Sequence, residues 1–571
     1  MESRSRDWLI GYITQKIPES ARSTRYLDLF NAGLDDTYLG LDLDWLRTGE
    51  KEGYFARSQT NIIGRLAFAW HTEGLAFYQD KTVGDMLRQA FLAVADHVTA
   101  EGQFIWPNDQ DMYWAGSHEH AWRLEPLLIG AIWADDVFSD EERSVVGAAL
   151  RRAADWLIAN PCIQHNNRGA VWCAISTLCG LYCNEPKMLS VVAPHVEAIL
   201  RGVILDDGEI GEHTKQYAGG GPCTNYTYTG LGYVYLYRLF SGDDSLDDLL
   251  LQGARWLSMY NTLSGYPLAA GASVRVAKPN PALIDGLPFL EWASQADPFF
   301  ARVADRHLDK IESTKGSTGT HIISPTIWAV LARGVESNSI PEWYTSWTEM
   351  YERPNVQYAL IGRQYQTGIT FKARPGPYRD ISEEGVPLRG LQTFAFGEEV
   401  PVLFHGHDIV STTRVGQIDT CREDASETLL VEQEDLTLIV ERRKSLWTIY
   451  AFTPVSGVVV YGGAEEDIRS FWSLYEINSE DIALDSSRRV VAFSKRAGRV
   501  HFLNGNAELY EHTEGEEQRW VLDVIAKQPI SAFAFSDTSF TFENEGSETL
   551  AFSDVSGSYQ LNLSDILTEG R

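Results

Sequence analysis

His213, Tyr217, Tyr226 and Tyr228 fall within one stretch, Leu205 to Gly232, reading LDDGEIGEHTKQYAGGGPCTNYTYTGLG. An imidazole and several phenols in close company are groups that give and take protons. Two further stretches supply donors to an anion. Gln164 to Trp172 holds Asn166, Asn167 and Arg168 just ahead of an apolar helical pattern, and Gly271 to Arg275 ends a Gly/Ala run on an arginine. Amide and guanidinium groups donate to carboxylates, the guanidinium as a fork. Each stretch also has a plain structural reading: an asparagine that caps a helix, a hydrogen-bonded histidine, an arginine in a surface ion pair. Tyr226 and Tyr228, two residues apart at a helix start, are expected to diverge, one to a cleft and one into packing.

The elements that must position these groups are legible from periodicity. Gly219, Gly220 and Gly221 followed by Pro222 do not continue a helix, so this segment is a loop feeding a helix from about Tyr226. From Arg6 to about Trp347 apolar residues recur at three- and four-residue spacing, in Thr60 to Tyr78, Val83 to Val98, Ser139 to Ile158, Ala170 to Tyr182 and Met188 to Ile204. Ser139-Asp140-Glu141-Glu142 reads as a capping box. Roughly ten helices, with long loops such as Gly102 to Ser117 between them, suit an α/α toroid, a ring of helical hairpins around a cleft; no repeat of roughly 34 to 47 residues supports a solenoid. Past Pro354 the texture becomes period-2 runs such as LTLIVERR, LWTIYAFTPV and SAFAFS. These predict an antiparallel β-sandwich. Helices first and strands after imply a multidomain α-then-β chain, with an α/α-toroid catalytic domain over 1–350 and a β-sandwich over 351–571.

Composition narrows the partners. The 571 residues carry 48 Lys and Arg against 79 Asp and Glu, a net charge of −31, which excludes nucleic acid as a partner because phosphate binding needs a basic surface. Seventeen Trp, 25 Tyr and 24 Phe fill large cores or make flat platforms for sugar rings. Six cysteines without a CxxC pair predict free thiols and a reducing compartment. The N-terminus shows no signal-peptide pattern, and no apolar run reaches membrane-spanning length. A cytoplasmic protein without a membrane partner is the expectation, although an export signal already removed would leave the same sequence.

The chain order Asn167, His213, Tyr226, Arg275 resembles that of the α/α-toroid polysaccharide lyases, of the chondroitin AC/hyaluronate and heparinase II/III or alginate types. In the hyaluronate and chondroitin enzymes Asn, His, Tyr and Arg follow one another at similar separations, and the His follows an Asp-Gly pair, as His213 follows Asp207-Gly208. The alginate and heparinase-like branch carries Asn-Asn-His-Gly where this chain has Asn166-Asn167-Arg168-Gly169. Arg168 in place of His is one departure; the distance from His213 to the tyrosine is another, which leaves Tyr217, Tyr226 and Tyr228 competing for one role.

The resemblance implies cleavage of a 4-linked uronic acid by β-elimination, with an acidic oligo- or polysaccharide as substrate. The C5 proton is too weakly acidic to leave until the neighbouring carboxylate is neutralised. Asn167, with Arg168 or Arg275, is expected to neutralise it. Tyr226 is the leading acid, and His213 or Tyr226 takes the C5 proton. Asn166, Tyr217, Tyr228, His118 and Trp114 are expected to contact substrate, His118 and Trp114 from the cleft lining. No cofactor is required. His405 and His407, on a strand reading FHGHD, admit a structural zinc in the sandwich, as some relatives hold. Competing readings are a glycoside hydrolase using carboxylates from Asp207, Glu209, Glu212 and Glu119, a non-catalytic glycan-binding protein, and a uronyl epimerase.

Overall fold

The computed structural model describes residues 4–48, 53–104, 116–164, 166–203, 208, 224–261, 284–313, 323–336, 340–345, 347–353, 356–363, 365–373, 390–396, 403–411, 427–442, 447–463, 468–475, 482–484, 490–493, 499–514, 517–526, 530–536, 538–544 and 548–568. Its chain divides into two compact units, Met1–Lys215 with Asn225–Ser258 and Pro281–Ser339, and Gln216–Thr224 with Met259–Asn280 and Ile340–Arg571.

The helices are Arg6–Ile13 (α1), Ala21–Ala32 (α2), Leu34–Gly40 (α3), Leu43–Thr48 (α4), Gly53–His71 (α5), Lys81–Asp96 (α6), Ser117–Trp133 (α7), Asp140–Ala159 (α8), Asn167–Tyr182 (α9), Pro186–Val203 (α10), Thr224–Ser241 (α11), Asp247–Met259 (α12), Leu287–Ala293 (α13), Phe299–Ser313 (α14) and Ile323–Ala332 (α15). Their starts follow from side chains that satisfy orphan amides. Asp80 accepts from the amides of Thr82 and Val83 ahead of α6, and Ser139 and Glu142 close the capping box of α8. The helix expected over Thr60 to Tyr78 instead runs from Gly53 to His71. Gly74 at φ 93° and Gln79 at φ 50° take the chain out of helical geometry there, and Leu75 is buried from a turn.

Alternate helices pack side by side. α3, α5, α7 and α9 form one succession of neighbours, and α4, α6, α8 and α10 form a second that packs against it. This inner-and-outer alternation is the α/α toroid. The inner position explains α9, whose residues from Gly169 to Leu181 are all buried, a helix apolar all round because it is covered all round. Gly64 lets α5 and α7 come together, since a Cβ there would lie 2.6 Å from the Pro126 side chain.

The ends of this helical unit are tied by a buried ion pair. Arg22 on α2 donates through Nε to Glu291 on α13 at 2.5 Å and through Nη1 to Asp305 on α14 at 2.7 Å. The Tyr26 hydroxyl also donates to Glu291. Burial raises the Glu291 carboxyl, and the Arg22 fork and Tyr26 draw it back down. A cleft of about 250 Å³ opens beside this junction, between Pro18, Ser20, Arg333 and Gly334.

The second unit is antiparallel β. One eight-stranded sheet begins as a meander of Trp347–Arg353, Val356–Gly362, Tyr365–Ala373, Gly390–Phe396 and Leu403–Ser411, and continues through Ile468–Tyr475, Glu517–Ala526 and Gly505–Glu514. The other runs Ile482–Leu484, Val490–Phe493, Arg499–Leu503, Ile530–Ser536, Ser456–Gly462, Trp447–Phe452, Leu436–Arg442 and Glu427–Gln433. Leu436, Leu438, Val440, Val458 and Val460 on one face of this sheet pack against Phe540, Phe552 and Leu561 of a three-stranded sheet and Leu563 of a short terminal helix. Residues of its opposite face, among them Ile439, Tyr450 and Val459, are buried as well. That double burial makes these strands nearly continuous apolar runs.

Arg22→Ala should strand the Glu291 carboxylate without its cation. We expect a loss of about 3–5 kcal/mol, measured as a lower urea midpoint for the helical circular dichroism signal at unchanged slope.

Candidate functional site

Two helix starts in the inner layer bring candidate residues together. Asn166 caps α9, its side chain accepting from the Arg168 amide at 3.0 Å. Asn167 follows in the first turn, only 4% exposed, and its Oδ1 is buried without a hydrogen-bond partner among the described residues. A buried amide oxygen left without a partner is costly. Gly169 is required because a methyl there would fall on the Gln164 carbonyl oxygen. This close approach folds the loop before α9 back against the helix.

α7 carries His118 in its first turn, buried and set edge-on to Trp122 with ring centroids 5.6 Å apart. His118 is driven down to about 4, first by burial and then by the charges of Arg168 and Arg57. It is therefore a neutral imidazole at neutral pH, and its shift puts Arg168 of α9 and Arg57 of α5 in its electrostatic neighbourhood. Glu119, buried, lies 3.9 Å from both His118 Nε2 and Arg57 Nη1. The Arg57 guanidinium rests over the Trp122 ring, 4.0 Å from its centroid.

A second group of polar residues adjoins the same helices. Glu125, one turn beyond Trp122, accepts from Tyr233 of α11 at 3.0 Å and from the Trp328 indole of α15 at 2.8 Å. Asp285 accepts from Thr229 at 2.6 Å. Burial raises the Asp285 carboxyl, against the Thr229 hydrogen bond and the Arg57 charge. Arg57 also opposes the upward shift that burial and Glu125 impose on the Tyr233 phenol. One guanidinium thus acts on His118, Tyr233 and Asp285 together.

Sequence reasoning passed over Arg57, Trp122, Glu125 and Tyr233. Their signal was helical spacing. His118, Trp122 and Glu125 recur at i, i+4 and i+7 on α7, and Arg57, Asn61 and Gly64 do so on α5, so each set shares one helix face.

Tyr228, expected at the substrate, goes to the core instead. It is fully buried, and its hydroxyl meets His307 Nε2 at 2.7 Å. No sugar reaches a phenol enclosed in this way. Tyr226 lies in the first turn of α11, with its side chain outside the described part. Trp114, His213, Tyr217 and Arg275 lie outside the described residues, as do Asp207, Glu209 and Glu212 of the carboxylate pool. His405 and His407 occupy alternate positions of Leu403–Ser411, with Ser473 and Phe471 opposite them in the neighbouring strand. The side chains of both histidines lie outside the described part. Among the described residues no group of three or more His, Cys, Asp or Glu is arranged to hold a metal. Cys162, Cys173, Cys179 and Cys183 are free thiols, and among the described residues no helix is long and apolar enough to cross a membrane.

A depressed His118 makes stability pH-dependent with a definite sign. Between about pH 6.5 and 4 the unfolded chain binds the proton and the folded chain does not, so stability falls as pH falls through that window. In His118→Gln the decline over this window should be shallower than in the wild type, as read by urea melts at a series of pH values.

No family model matches the sequence, and no curated protein matches it. Solved structures do share its fold. A Paenibacillus xanthan lyase superposes with a TM-score of 0.63 at 9% identity over 96% of this chain. The present chain spans 62% of that enzyme's length. A Streptomyces coelicolor A3 chondroitin AC lyase, solved with chondroitin sulphate, gives 0.59 at 10% identity over 96% of this chain and 87% of its own. The heparan sulfate lyase HepC of Pedobacter heparinus, as a mutant, gives 0.50 at 12% identity, covering 90% and 84%. The chain therefore has the helical-toroid and β-sandwich fold on which these lyases are built.

Proposed function

We propose that the protein is a glycan lyase that cleaves a 4-linked uronic acid by β-elimination. What supports this reading is that Asn167 and Arg168 lie in the first turn of α9 and His118 in the first turn of the neighbouring α7, where the Arg168 charge is felt, on a fold shared with polysaccharide lyases.

In this reading Asn167, with Arg168 or Arg275, takes the sugar carboxylate. The amide and guanidinium donors stabilise the enediolate that forms as C5 loses its proton. The buried Asn167 side chain suits that task, because an amide fixed before the substrate arrives needs no reorganisation in the transition state. His213 or Tyr226 removes the C5 proton, and Tyr226 protonates the glycosidic oxygen as the bond to C4 breaks. His118, held neutral, serves as a substrate contact beside Arg168, and Trp114 and Tyr217 line the sugar. Water is not consumed and no metal is used in any step. The cations Arg57 and Arg168 answer the repulsion that a chain of net charge −31 exerts on a polyanion.

A hydrolase using paired carboxylates has less support. Glu119 and Glu125 are each 1% exposed, and the two oxygens of Glu125 already accept from Tyr233 and Trp328. Glu125 thereby ties α7 to α11 and α15.

Screening uronic-acid polymers and oligomers should reveal a substrate that gives new ultraviolet absorbance from an unsaturated uronate. Tyr226→Phe and His213→Ala should each abolish that signal. Full activity in both variants, or a saturated reducing end as product, would remove the elimination mechanism.

A further inference from the structure

Several arginines of this acid-rich chain are matched to carboxylates. Arg22 engages Glu291 and Asp305. Arg25 reaches Asp309 and Glu312 at 2.6 and 2.7 Å. Arg238 makes two bonds of 2.8 Å to Asp247. Arg57 differs. Among the described residues its nearest carboxylate oxygen, on Glu119, stands at 3.9 Å, beyond hydrogen-bond range, with side-chain exposures of 21% and 2% for the two residues. Its Nε is buried and has no hydrogen-bond partner among the described residues. What fixes it is the face of Trp122, a contact that orients the guanidinium plane without using its donors. With 79 acidic residues available, a cation seated in this way is a donor set kept for another anion.

We infer that Arg57 is a specificity-determining residue, which binds an oxyanion carried by a sugar, a carboxylate or a sulfate ester, with Trp122 as its support. The inference rests on the proposed lyase reading for its substrate class, but not for its chemistry of recognition. The charges of Arg57 and Arg168 both act at His118, and that of Arg57 is felt at Asp285 as well. The guanidinium provides the planar fork that a carboxylate or sulfate needs, which an ammonium does not. Glu119 Oε1 lies 3.9 Å from both His118 Nε2 and Arg57 Nη1, beyond hydrogen-bond range of either. A neutral sugar gains nothing from such a site, so the residue selects for acid-bearing glycans.

The test is a thermal-shift titration of the full chain with glucuronate, glucose 6-sulfate and glucose. In the wild type, saturable stabilisation by glucuronate or glucose 6-sulfate and none by glucose is expected; which anion acts at lower concentration identifies the carboxylate or the sulfate ester as the ligand group. Arg57→Gln should weaken that binding roughly tenfold or more, as loss of a charge-assisted hydrogen bond does. Arg57→Lys, which keeps the charge and loses the fork, should fall between the two and guards against a Gln variant that fails to fold. Glucose acting as well as glucuronate, no saturable shift in the wild type, or wild-type affinity in both variants would overturn the inference. Arg57-dependent binding without any unsaturated product would leave it standing while removing the lyase, and turnover with affinity indifferent to Arg57 would do the reverse.

Discussion

The buried contact between Arg22 and Glu291 is the constraint that most of the helical unit answers to. It joins α2 to α13 across most of the unit's sequence, with Tyr26 and Asp305 completing the donors and acceptors. A carboxylate this deeply enclosed is tolerated only with a cation and a hydroxyl in place. The pair therefore specifies which helices meet at the junction. α15 packs against both α2 and α5, so the same junction limits where α5, and with it Arg57, comes to lie.

From that frame the candidate site follows by short steps. Gly64 admits α7 close to α5, and Gly169 folds the approach to α9 tightly enough for Asn166 to cap it. The consequence is an inner wall where buried polar groups are concentrated: Asn167, His118, Glu119 and Glu125. Interiors accept such groups when they are paired or when a ligand completes them. Glu125 is of the first kind, bound by Tyr233 and Trp328. Arg57 Nε and Asn167 Oδ1 have no hydrogen-bond partner among the described residues. Their electrostatics are local: the acidic surface sets the long-range field, while two guanidinium groups set the sign beside His118.

Much of this was written in the sequence because periodicity and capping are local. Three- and four-residue spacing marked the helical part, alternation marked the strands from Val356 onward though not the strand Trp347–Arg353, and Ser139 with Glu142 marked the start of α8 before any coordinates. The asparagine of the Asn-Asn-Arg-Gly run as a helix cap was equally local, since it depends on an amide two residues away. These features need only the chain's immediate neighbours, and so does the division into helical and β parts.

Tertiary structure alone decided which side chains face one another. Tyr228 has the composition of a site residue, yet it is spent on His307, a partner far along the chain that no spacing reveals. Arg57 has the composition of an ordinary surface cation, yet packing sets it on Trp122 beside two other helices. Burial also determines that His118 is neutral, since its shift arises from desolvation and from arginines on α5 and α9. Secondary structure is a short-range property of the backbone, whereas desolvation and pairing arise only once distant segments exclude water from the same space. For that reason the sequence determined the kind of elements this protein has, and the fold decided which of their residues meet.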